Sequence, residues 1–203
     1  VTVKPVDAAR WLIAAASDDG QALTNFQIQK LLYYAHGDLL ATSGTPLISE
    51  HFEAWDHGPV CPTAYRAFSD FGSGVITNVA INRDAIASRI DDDALAALER
   101  AWSDYGNWSF SELWDDVHWP GSPWDQVRVP GEDHTAIPDQ AIKRYFADLQ
   151  PPKLRRSMNK LSKRRRDRGE VRRNPVGDAG IVGEIDDWSE LRAAGTSGLL
   201  GEH

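Results

Sequence analysis

Apolar residues along this chain recur mostly at spacings of three and four, the period of an α-helix, and the longest such run predicts the longest element. Ile28, Leu31, Leu32, Ala35 and Leu39 fall on one helical face. Thr24 stands where an N-cap belongs, and Gln27 three residues later completes a capping box, in which each side chain satisfies an amide of the first turn. Gly44 and Pro46 end the run. At 1.5 Å per residue this helix is roughly 28 Å long, the diameter of a small domain, so the sequence predicts that it is central. Residues 6–16 predict a preceding helix, with Val6, Ala9, Leu12 and Ile13 apolar, Asp7 near its start, and Asp18, Asp19 and Gly20 ending it. After the central helix, Phe52, Ala54 and Trp55 form a short apolar stretch that breaks at Asp56-His57-Gly58-Pro59-Val60. Gly-Pro forces a sharp change of direction there, because glycine admits unusual φ and proline fixes its own. A helix over 63–71 follows, with Tyr65 and Phe68 on one side.

Downstream the pattern continues in shorter pieces. Residues 71–74 are loop, 75–81 are β-prone or simply extended, and 84–90 are ambiguous. Residues 91–105 read as a helix, with Leu95, Leu98, Ala101 and Trp102 sharing a face, acids in the first turn and Gly106 closing it. Another covers 109–117, with Phe110, Leu113, Trp114 and Val117 at helical spacing. The Pro- and Gly-rich stretch 119–133 is loop with a short strand expected at 126–129. A last domain helix is expected over 137–149, with Ile137, Ala141, Ile142, Tyr145 and Phe146 apolar, before Pro151-Pro152. The alternation that a large sheet needs is missing, so the fold class expected is mainly α, with minor β structure.

Composition changes this picture mainly through charge. The 203 residues, 41% of them hydrophobic, suffice for one buried core with extensions. The net charge of −8 divides sharply: 1–152 carry 10 Lys and Arg against 22 Asp and Glu, 153–173 carry 11 against 2, and 174–203 carry 1 against 6. That division proposes a compact helical domain at 1–150, a basic helical extension at 151–173 and an acidic, Gly-rich tail at 174–203. In the basic stretch Leu154, Met158 and Leu161 make one stripe, ringed by Arg155, Arg156, Lys160 and Lys163. Four readings stand for it: a solvated helix resting on its own acidic domain, a contact for an acidic protein partner, a nucleic-acid contact, and an amphipathic membrane contact. In the tail, Ile181, Ile185, Trp188 and Leu191 approximate a helical face, with Asp186 or Asp187 available as a cap. So short a helix is marginal alone, and its alternatives are folding on a partner or docking on the domain. The single cysteine, Cys61, excludes an internal disulfide framework, and neither a membrane-length apolar run nor a signal-peptide pattern is present; the expectation is a cytoplasmic protein.

The sequence offers little catalytic chemistry. Histidines 36, 51, 57, 118, 134 and 203 make no short-range metal pair with each other or with Cys61, and there is no phosphate- or dinucleotide-binding glycine loop. Cys61 after Gly-Pro-Val reads as a packing residue. Asp56-His57 reads equally as an acid–base pair or as a hydrogen-bonded corner, and Asp115, Asp116 and His118 cluster in the same two-sided way. The expectation is therefore no enzyme, no cofactor and no metal. Eight tryptophans, six of them between Trp55 and Trp124, serve either a core or a partner interface.

Several residues also resemble a known family. Leu23-Thr24-Asn25, Gln29 through Ala35 and Gly37 are similar to the first signature of the Panacea (SocA-like antitoxin) domain. Glu53-Ala54-Trp55, Gly58-Pro59-Val60, Pro62 and Tyr65 resemble its second. Tyr105-Gly106, Leu113, His118, Pro123-Trp124 and Ile137 follow in matching order. The likeness runs over about residues 8 to 148; Phe26 and Ile28 stand where leucines are usual, and Val117 where threonine often precedes the His. Members of that family neutralise protein toxins of two-gene toxin–antitoxin modules. The resemblance thus implies an antitoxin that binds a cognate protein toxin, encoded by the adjacent gene, by direct contact. Occlusion of this kind needs anchoring side chains rather than catalytic ones. The surface residues expected to make contact are Gln29, Lys30, Tyr34, Trp55, His57, Tyr65, His118 and Trp124, with Arg164, Arg165, Arg166 and Trp188 adding toxin-specific contacts. The same motif residues read otherwise as purely structural. A DNA-binding regulator using 153–173, and an uncharacterised hydrolase, are the rival classes.

Overall fold

The computed structural model describes residues 2–132, 134–149 and 151–167, and of 162 and 165–167 the backbone alone. The tail 174–203, with its Trp188 motif, and the last residues of the basic stretch lie outside the described residues. Among the described residues the fold is mainly α with one small sheet.

Helix α2 (Asn25–Ser43) is the hub. Thr24 caps it by accepting from the Gln27 amide, the reciprocal half of the capping box is present, and Gly44 ends it with φ +76°. Its surroundings are α1 (Pro5–Asp18), α3 (Pro62–Ala67), α5 (Asp92–Tyr105), α6 (Phe110–Val117) and α8 (Asp139–Ala147). With neighbours on every side, 14 of its 19 residues are buried, not only the single face its apolar spacing predicts. Asn25, Gln29, Lys30 and His36 are among them, so polar groups enter the interior and must find partners there.

Strand β1 (Phe52–Trp55) turns through Asp56-His57 into β2 (Gly58–Val60), an antiparallel hairpin in which Trp55 lies opposite Gly58. On its other side β1 pairs with β3 (Ala136–Ile137), giving the order β2-β1-β3. That pairing is why the last domain helix starts at Asp139 and not at Ile137. The strand expected at 126–129 is instead the end of a short helix, α7 (Pro123–Val127). Ser122 caps it, Pro123 occupies its first turn, and Trp124 is buried against the hairpin; Val129 makes only an isolated bridge to Glu132. The helix expected over 63–71 breaks at Phe68, where φ of −128° separates α3 from a 3₁₀ turn, Ser69–Phe71. Residues 75–81 contribute one bridge, Val75 to Thr24, and the ambiguous 84–90 region holds α4 (Arg83–Ala87), capped by Asn82.

The basic helix α9 (Pro152–Asp167) packs on α6 and α5. It does so on the side opposite to the one its apolar pattern suggests. Arg155 and Asn159 face the domain, each 7% exposed, while Leu154, Met158 and Leu161 point outward at 48%, 42% and 59%.

Candidate functional site

The first signature is a polar clamp from α2 onto the chain that follows the hairpin. Asn25 Nδ2 donates to the Tyr65 carbonyl (3.0 Å), Gln29 Nε2 donates to Asn25 Oδ1 (3.0 Å), and Gln29 Oε1 accepts from the Cys61 amide (2.9 Å). One turn apart on a helix, Asn25 and Gln29 thus read a peptide segment as a strand partner would. Lys30 Nζ donates to the Pro59 carbonyl at 2.9 Å and lies 4.8 Å above the Phe26 ring. Burial holds its pKa well below the usual lysine value. Gly58 answers two demands at once: its φ is +95°, and a Cβ there would stand 2.9 Å from Lys30 Nζ.

The second signature and the His–Pro-Trp residues close over the hairpin turn. Trp124 Nε1 donates to the Trp55 carbonyl (2.7 Å), and Trp55 meets Tyr65 edge-on, centroids 5.0 Å apart. His118 lies between the Trp114 and Asp56 carbonyls, at 2.8 Å from Nδ1 and 3.3 Å from Nε2. It stacks on Trp114 at 4.0 Å and meets Trp124 edge-on at 4.2 Å. Burial, together with the nearby Lys30 and His57 charges, pulls its pKa down to about 3 in spite of the Trp114 carbonyl. His57 packs beside Trp114 at 5.5 Å, and Asp56 pairs with Arg128. The Asp56-His57 corner is therefore built from separate contacts, with each group turned to a different partner.

A third cluster joins the domain to α9. Asp116 accepts from the Tyr34 hydroxyl (2.9 Å), from Arg155 Nε and Nη2 (3.0 and 2.8 Å) and from Asn159 Nδ2 (3.2 Å). Arg155 Nη2 also donates to the Tyr105 hydroxyl at 3.1 Å, and Tyr105 stacks flat on Tyr34, centroids 3.9 Å apart. Burial opposes the Arg155 charge, but the Asp116 bonds outweigh it and hold the guanidinium charged. At the edge, Arg156 and Lys160 both reach Glu112, at 2.7 and 3.1 Å, and the Arg156 bonds draw its carboxyl down to about 2.

These positions correct one expectation. Gln29, Lys30, Tyr34, Trp55, Tyr65 and Trp124 are not surface residues: all are 8% exposed or less, and the contacts just described are with their own chain. His57 and His118 are part-buried in the same packing. Arg164 is exposed on α9; Arg165 and Arg166 lie on the same helix, and Trp188 lies outside the described residues. Sequence reading named Asn25 and Tyr105 only as motif residues and Arg155 only in the basic ring, left all three out of the expected contact set, and passed over Asn159. Arg155 and Asn159, four residues apart on α9, carry a signal only once a buried acid at Asp116 is known to face them.

Among the described residues no group of three or more His, Cys, Asp or Glu side chains is placed to hold a metal ion. Nor does any described helix have the length and apolarity to cross a membrane. Cys61 is fully buried; burial pushes its thiol pKa far up, and Sγ donates to Glu50 at 3.0 Å, the reverse of an activated nucleophile. Among the described residues, a cavity of about 550 Å³ is bounded by Asp116, Trp119, Tyr145, Arg155, Met158 and Asn159, at the edge where α9 meets the domain.

Comparison with known proteins agrees with this arrangement of motifs. The family model for the antitoxin SocA-like Panacea domain matches residues 28–125, which run from α2 through α7. Antitoxin SocA of Caulobacter vibrioides (strain NA1000 / CB15N) is 39% identical over 135 residues, covering 61% of this chain and 72% of that protein. No solved structure matches the chain. Identity at that level across most of a curated antitoxin decides the matter: the chain belongs to the SocA-like antitoxin family, and its α2–α7 region is a Panacea domain.

Proposed function

We propose that this protein is an antitoxin that neutralises a cognate protein toxin by binding it directly. The observation that carries the reading is the 39% identity with antitoxin SocA, over 72% of that protein's length. The geometry bears on how such binding works. The motif side chains hold α2, the hairpin and α3 as one rigid body, so they shape the binding surface from beneath. The contacts themselves fall to exposed groups, among which the outer face of α9 combines apolar residues with Lys153, Lys163 and Arg164. Binding that occludes the toxin requires no reaction, and the rearward contacts of His118, Asp116 and Cys61 fit that economy. The DNA-binding alternative has less to work with. Arg155, Arg156 and Lys160 are engaged with Asp116 and Glu112, and the domain beneath them, with 22 acids in residues 1–152 against 10 bases, repels a phosphate backbone.

The test is growth of cells that express the product of the adjacent gene, with and without this chain. Full-length protein is expected to restore growth and to co-purify with the toxic product. A neighbour that is toxic but neither rescued nor bound would refute the proposal. Point substitutions such as Lys163→Glu then locate the contact better than truncation does, because removing α9 would strip Asp116 and Tyr105 of their buried partner.

A further inference from the structure

We propose that the cavity between α8 and α9 is an anchor pocket for the toxin, which fills it with one tyrosine or tryptophan side chain borne on an acidic segment. The inference rests on the antitoxin reading and names the site and the partner chemistry within it.

The seating of α9 explains why space remains there. Arg155 and Asn159 are drawn to Asp116, so α9 packs on α6 and α5 more than on α8, and a gap of about 550 Å³ is left on the α8 side. Each helix turns one face to it at i, i+3 and i+4: Ala141, Arg144 and Tyr145 from α8, and Arg155, Met158 and Asn159 from α9. Trp119 and Leu149 complete the apolar part of the wall. The volume lies within the range of pockets that enclose a guest, roughly 300–1,000 Å³.

The chemistry of the wall selects the guest. On the floor Asp116 and Arg155 compensate each other, and at the rim Arg144 stands with Asp148, so the pocket has no net charge to offer an ion. The Trp119 and Tyr145 rings and the Met158 thioether favour an aromatic guest. Three polar groups in the wall make no hydrogen bond among the described residues: the Tyr145 hydroxyl, the Trp119 indole N–H and Asn159 Oδ1. Burial pushes the Tyr145 pKa up to about 12, so its phenol stays protonated and able to donate. A flat apolar body with one polar edge, as in tyrosine or tryptophan, satisfies both sets of groups.

Continuity and charge make that guest part of a polypeptide. Met158 lines the cavity and is 42% exposed, and Leu154 and Leu161 extend its stripe along α9, beyond the reach of a guest that fills the cavity alone. The same helix exposes Lys153, Lys163 and Arg164 within a stretch, 153–173, of 11 bases against 2 acids, whereas residues 1–152 are acidic. A segment that enters the cavity and continues over α9 therefore gains from acidic side chains.

The experiment uses the full chain and the toxic product of the adjacent gene. Ala141→Trp fills the cavity from α8 and is expected to weaken binding about 30-fold or more, the size of a lost anchor, without lowering the melting temperature. Tyr145→Phe keeps the ring and its packing, loses only the hydroxyl, and is expected to cost about 3- to 10-fold; it decides the matter if Ala141→Trp does not fold. A benzophenone amino acid replacing Gln126 at the rim is expected to label a toxin peptide that holds Tyr or Trp among acids. Wild-type affinity in the folded pocket variants would overturn the proposal. So would a label on a basic or non-aromatic toxin segment, on residues 174–203 of the same chain, or on a second copy. If the unsubstituted chain neither binds the toxic product nor restores growth, the antitoxin reading falls and this inference with it. If it does both and the pocket variants do so equally, only the pocket assignment falls.

Discussion

Replacing Arg155 with alanine tests how α9 is held. The wild-type guanidinium makes two bonds to Asp116 and one to Tyr105, and the two charged side chains are 8% and 6% exposed. Removing one partner of so buried a pair leaves the other charge poorly compensated, which costs about 3–5 kcal/mol. Asp116 keeps the Tyr34 hydroxyl and the Asn159 amide, so the lower half of that range is expected. The loss need not fall on the whole protein. Helix α9 rests on α6 and α5 and carries no part of the main core, so it can lift off while α2 and its neighbours stay packed. Hydrogen exchange followed by mass spectrometry reads this directly. Amides of α9 are expected to exchange about 140- to 700-fold faster, up to the unprotected limit, at 1.4 kcal/mol per tenfold. Amides in the middle of α2 are expected to change far less. Arg155→Lys, which keeps the charge but loses the fork geometry, belongs in between. If α9 kept its protection in Arg155→Ala, the Asp116 pair would not be what holds it. If α2 and α9 lost protection together, α9 would be part of the cooperative core, and the local-release argument would fail.

Two further outcomes follow from the interior. The fold keeps His118 neutral down to about pH 3, whereas an unfolded histidine takes up a proton near 6.5, so His118 contributes stability above pH 6.5 that drains away as pH falls toward 3. Between pH 7 and pH 5 that loss is about 2 kcal/mol, and urea midpoints of wild type and His118→Asn should differ in their pH dependence by that amount; equal slopes would refute it. Gly37→Ala places a Cβ 2.5 Å from the Phe146 ring where α8 crosses α2, and is expected to destabilise by about 1–3 kcal/mol. At about 2–4 °C per kcal/mol for a chain of this size, a lowered melting temperature partly restored by Phe146→Leu would support the contact, and an unchanged one would exclude it.

The helices were legible because their signals are local. Thr24 with Gln27, Asp91, and Ser109 with Glu112 each mark a start that capping satisfies in place. The small sheet was legible only as a corner, because β3 is two residues long and its partner β1 lies about eighty residues earlier. The strand expected at 126–129 failed for a related reason: Ser122-Pro123 is a helix start, and the burial of Trp124 decided the outcome from outside the segment. The candidate site was legible as a set of motifs and misread as a surface. Polar and aromatic side chains such as Gln29, Lys30 and Trp55 are ordinarily exposed or half-exposed. They are buried here because backbone groups at Pro59, Cys61 and Tyr65, and the Glu53 carboxylate at Trp55 Nε1, supply their partners, and no pattern within α2 announces those partners.

Helix α9 shows the same effect with the opposite sign, and it redirects the search for a partner. Reading amphipathicity by apolar residues assumes that the apolar side is inward, which holds when burial is the dominant gain. One buried acid reverses it. Asp116, already fixed by Tyr34, offers a bidentate partner to a guanidinium, and Tyr34 and Tyr105 supply flat faces beside it; Arg155 lies 6.0 and 5.4 Å from their ring centres. The six charge-assisted contacts that Arg155, Asn159, Arg156 and Lys160 make with Asp116 and Glu112 outweigh the burial of Leu154, Met158 and Leu161 on a helix whose other residues are mostly charged. The apolar side is then free for something else. On the antitoxin reading proposed above, recognition falls to what remains outside, and on this chain that includes a stripe that a pattern-based reading assigns to the core.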